Sequence, residues 1–75
     1  MGRTAMNGRG GVHRWELRGI GHLDPQLLGD AAVYEGVEGT IVIGTWKESQ
    51  LIDLLRALET SGFDVLCALR LDEQP

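Results

Sequence analysis

A chain of 75 residues and 8.2 kDa, 43% hydrophobic and 24% charged, has a globular composition with room for one small core, which excludes a multidomain protein. The net charge is −4, and from His13 onward five basic residues stand against eleven acidic ones, which excludes a surface built to track nucleic-acid phosphates. No run of 18 apolar residues and no secretory-type apolar leader occurs, so a cytoplasmic location without a membrane partner is expected.

Residues 1–12 hold Gly2, Gly8, Gly10 and Gly11, lack helical or strand periodicity, and read as a flexible tail. Gly8-Arg9-Gly10-Gly11 resembles an anion nest, but no predicted helix follows it as a phosphate loop requires. Over residues 13–19, Trp15, Leu17 and Gly19 alternate with Arg14, Glu16 and Arg18, the period of a strand. Asp24-Pro25 then predicts a short helix, with Asp24 as cap and Pro25 at the first position. Residues 31–37 and 40–45 form a predicted hairpin around Glu38-Gly39.

The clearest helix signal starts at Thr45, whose hydroxyl is spaced to form a capping box with Glu48. Leu51, Ile52, Leu54, Leu55 and Leu58 make its apolar stripe, Gly62 ends it, and Phe63 is placed to pack back on the last turn. Residues 64–71 alternate as the last strand, and residues 73–75 are a terminal tail. The single domain therefore spans residues 13–72. Its order predicts an α+β fold, a compact ferredoxin-like β-α-β-β-α-β with a rudimentary first helix and an antiparallel sheet in which the last strand flanks the first.

With Trp15, Leu17, Val42, Val65, Cys67 and Leu69 toward the helices, the opposite face receives Arg14, Arg18, Tyr34, Ile41, Ile43, Leu66, Ala68 and Arg70. Its expected middle is apolar and its periphery charged, the anatomy of an interface, with Ile41, Ile43, Leu66 and Ala68 at the centre. Chains this small need a supplement to their core. Cys67 stands alone, and His13, His22 and Cys67 leave a four-ligand metal site incomplete, so neither metal nor cofactor is expected. A homodimer or higher homo-oligomer is the expected supplement. Cys67 lies in an apolar run and reads as a packed thiol.

His22 and Asp24, in a glycine-flanked turn after the first strand, are the best candidates for acid/base chemistry, because imidazole titrates near neutrality and a carboxylate can orient it. Capping explains Asp24 and a turn role explains His22, and this structural reading outweighs the catalytic one. Trp15, Tyr34, Trp46 and Lys47 are candidate ligand-binding residues. Trp46, expected at the first helical position, is placed to wall a pocket, and Lys47 beside the helix start to meet an anion. For Trp46 the role of core lid or dimer contact outweighs the ligand role, and Trp15 reads first as a core residue. Glu35, Glu38, Asp53 and Glu59 lack an apolar setting for a raised carboxyl pKa, and Ser49 and Ser61 lack a base.

Gly21-His22-Leu23-Asp24-Pro25, then Gly39-Thr40-Ile41-Val42-Ile43-Gly44, then Gln50-Leu51, Leu54-Leu55 and Gly62, together resemble a group of short uncharacterised actinobacterial proteins across residues 15–71. The resemblance implies a cellular context and carries no activity onto His22 or Asp24. Trp46-Lys47-Glu48 departs from that pattern. Three function classes follow: a homo-oligomeric partner-binding or regulatory module with a protein partner; a binder of a small apolar or aromatic ligand near Trp46 and His22; and a cofactor-free enzyme using His22 and Asp24.

Overall fold

The computed structural model describes residues 11–71. In chain order it contains β1 (Val12–Gly21), a 3-10 turn (Pro25–Leu27), β2 (Ala32–Gly36), β3 (Gly39–Lys47), α1 (Glu48–Ser61) and β4 (Phe63–Arg70). The strands form one antiparallel sheet ordered β2-β3-β1-β4, with β3 inserted between β1 and β2, and β1 between β3 and β4. This is a rudimentary ferredoxin-like α+β topology in which the first crossover is reduced to a turn. Asp24 caps that turn by accepting the Gln26 amide (3.0 Å), and Pro25 follows it. The expected tail at residues 1–10, the glycine nest and residues 72–75 lie outside the described residues, while Val12, assigned to the tail from sequence, opens β1.

One face of the sheet is covered. Leu17, Val42 and Phe63 pack against Leu51, Leu54 and Leu58 of α1 and Leu28 of the turn, all buried. Ile52, expected in the helix stripe, is instead 47% exposed. It lies next to Leu51 in sequence, so a 100° step carries it off the narrow seam that Leu51, Leu54 and Leu58 share. Gly62 ends α1 with φ 109° and returns its amide to the carbonyls of Glu59 and Leu58, so Phe63 enters β4 directly beneath the helix.

Two expectations are corrected. The helix starts at Glu48, not after a Thr45 cap, because β1 reaches back to Val12 and pairs Val12 with Lys47 and His13 with Trp46, holding Thr45 and Trp46 in β3. Ladder hydrogen bonds across a ten-residue partner outweigh one local hydroxyl cap. The Gln50 side chain supplies the cap, accepting the Lys47 amide at 2.9 Å.

The second correction is a register shift in β4. Gly19 pairs with Val65 but Arg18 pairs with Cys67, so Leu66 is an extra residue, a β-bulge. A one-residue slip exchanges the faces of every later side chain. Val65 therefore points to the helix side as expected, while Cys67 and Leu69 turn to the open face. Ala68, opposite Leu17, and Arg70, opposite Trp15, turn to the helix side. Cys67 is exposed, not a packed thiol. At the bulge only hydrogen fits on Gly19: a Cβ there would overlap the Asp64 carbonyl and come within 2.6 Å of the Phe63 ring.

Candidate functional site

Cross-strand partners share a face, so the ladders define the uncovered side of the sheet row by row. One row runs Tyr34, Ile41, Arg18, Cys67 across β2, β3, β1 and β4; the next runs Ala32, Ile43, Glu16, Leu69. Apolar side chains thus flank a polar stripe on the inner strand β1. The expected apolar centre is occupied by an ion pair, and Glu16 stands in the sequence between Arg14 and Arg18 on the same face of the alternating strand. Ile41, Ile43 and Leu66 lie on this face as expected; Ala68 does not, because of the bulge.

Arg18 donates through Nε to a Glu16 carboxylate oxygen. The carboxylate is the more enclosed partner, with its side chain 14% exposed against 57% for Arg18. That hydrogen bond, then the attraction of the charge itself, holds the guanidinium above its ordinary pKa. Tyr34 (58% exposed), Leu66 (63%) and Leu69 (47%) leave large apolar surfaces uncovered. At the hairpin end the face dips into an open hollow of about 550 Å³ lined by Arg18, Tyr34, Val37, Ile41, Leu66 and Cys67.

The remaining candidates are scattered. Trp15 and Trp46 meet on the helix side, where the Trp15 indole N–H donates to the Trp46 carbonyl (3.2 Å) and both rings pack against the core. Tyr34 is on the other face, and Lys47 is exposed at the start of α1. His22 follows the last residue of β1, whereas Trp46 pairs near its first, so the length of β1, about 30 Å, separates them. His22 is exposed and its backbone N–H donates to the Gly62 carbonyl (3.1 Å); Asp24 is engaged by Gln26. Among the described residues no hydrogen bond joins the His22 and Asp24 side chains, and no cluster of three metal-ligating residues occurs. No described helix is long and apolar enough to cross a membrane.

No family model, curated protein or solved structure matches the chain.

Proposed function

We propose that the chain is a small partner-binding or regulatory module that works through the open face of its sheet and not through chemistry at its turns. The observation that carries this reading is the asymmetry of the sheet: one side buries Leu17, Val42 and Phe63 against α1, while the other presents Tyr34, Ile41, Ile43, Leu66, Cys67 and Leu69 around one ion pair. Apolar strips on β2–β3 and on β4, either side of a polar stripe on β1, favour association over solvation. His22 and Asp24 support this reading indirectly, because each is engaged in shaping the turn that leads from β1 toward β2.

The test is site-specific photocrosslinking in cells that make the protein. A photoreactive side chain at Ile43 is expected to give covalent protein adducts, and the same group at Ile52, on the exposed side of α1, is expected to give none. Equal adduct formation at both positions, or none at Ile43, overturns the reading.

A further inference from the structure

We propose that the occupant of the open face is a second copy of this chain, packed sheet to sheet about a two-fold axis that lies between the sheets, perpendicular to the strands, and passes between the two cross-strand rows. The proposal rests on the reading of that face as a binding surface and adds the identity and orientation of what covers it.

A two-fold axis perpendicular to the strands reverses their direction and keeps each strand over its own copy. It therefore sets the row Tyr34, Ile41, Arg18, Cys67 against the partner's row Ala32, Ile43, Glu16, Leu69. On β1, Arg18 faces the carboxylate position of the second copy and Glu16 faces its guanidinium. On β3, Ile41 meets the Ile43 position. On β2 the large Tyr34 meets the small Ala32, and on β4 Cys67 meets Leu69. Charge opposes charge, apolar opposes apolar, and the bulkiest side chain opposes one of the smallest. An axis parallel to the strands keeps each row over itself but reverses the strand order, so it sets β1 over the partner's β3 and places Arg18 against Ile41 and Glu16 against Ile43, charges against apolar side chains that cannot pair them. The within-chain bond uses only the Arg18 Nε–H, so the guanidinium's remaining donors serve the second copy's carboxylate, and a four-charge cluster closes at the centre.

Size agrees. Four strands at ~4.8 Å spacing and ~25 Å length give a footprint of roughly 500 Å² per copy, about 1,000 Å² for the pair, which is the lower bound for a specific interface. Aligned sheet packing accommodates the strand twist with a crossing of about 30°. The sheet edges are poorer candidates. The bulge at Leu66 interrupts β4, and β2 has only five residues, both devices that discourage edge pairing.

The experiment measures solution mass by analytical ultracentrifugation over a concentration series up to about 100 μM, above the micromolar range in which a small specific interface forms. Wild type is expected at twice 8.2 kDa. Glu16→Arg alone and Arg18→Glu alone are each expected to weaken association at least tenfold. Mixed in equal amounts they are expected to form a heterodimer, and the double swap Glu16→Arg/Arg18→Glu is expected to restore the homodimer. These side chains point away from the α1 core, and far-UV circular dichroism of each variant checks that it is folded; the double swap decides the matter even where a single variant is not. A monomeric wild type, single variants that associate as wild type does, or a double swap that is folded yet monomeric overturns the proposal. A monomeric wild type that still gives adducts from position 43 in cells overturns the second copy alone; a monomeric wild type without adducts overturns the binding surface as well.

Discussion

Trp46 owes its position to an absent side chain. A Cβ on Gly44 would lie 2.6 Å from the Trp46 ring and 2.9 Å from the Ala31 methyl, so glycine is the floor on which the indole rests. The Trp46 carbonyl accepts the Trp15 indole N–H, which would otherwise lose its partner in a half-buried site. Gly44→Ala is therefore expected to displace Trp46, to change the near-ultraviolet circular dichroism of the indoles, and to cost about 1–3 kcal/mol of stability by overpacking. Urea unfolding checks it; an unchanged midpoint and spectrum would show that the ring does not depend on that floor. The two tryptophans were conspicuous in the sequence, but their relation was not. It appears only once Trp15 is paired with Gly44, which is a property of register and not of either local segment.

Register also decides what could be read at the level of elements. The alternation of residues 13–19, the Asp24-Pro25 cap, the hairpin and the Gly62 stop each announce themselves, because a period, a turn or a cap is written in adjacent residues. The strand order was inferred correctly from the sequence of elements. Two features were not local. Thr45 carries a sound capping signal that β1 overrides by extending to Val12, and the bulge at Leu66 exchanges Cys67 and Leu69 with Ala68 and Arg70 without any compositional mark. The end of α1 provides a clean measurement. Gly62 has φ 109°, yet the nearest atom to a Cβ there would be the His22 Cβ at 3.6 Å, an ordinary contact. The cost of Gly62→Ala is thus conformational and not steric: about 1–2 kcal/mol of lost stability is expected from forcing an L side chain into left-handed backbone. A calorimetric or urea measurement that finds no loss would mean that the turn relaxes to another cap.

For the molecule as a whole, the candidate site was partly legible. The sequence placed Ile41, Ile43, Leu66 and Tyr34 on one unprotected face and pointed to a partner chain from size alone, but the bond between Glu16 and Arg18 appears in the side-chain geometry and the contribution of Leu69 in the β1–β4 ladder. If folding is completed by dimerisation, two chains are released on unfolding and stability acquires a concentration dependence that a monomer lacks. A tenfold rise in protein concentration then adds about 1.4 kcal/mol per dimer, which against the unfolding entropy of two such chains raises the midpoint by roughly 5 °C. Ile43→Arg sets a cation over the apolar part of the face without touching the helix-side core, so it is expected to abolish that dependence and to leave a folded monomer with a lower, concentration-independent midpoint. Scanning calorimetry of both proteins at two concentrations makes the comparison. A wild-type midpoint that does not move would mean that α1 and the helix-side residues Leu17, Val42 and Phe63 stabilise the fold unaided, and that the open face contributes nothing to its stability.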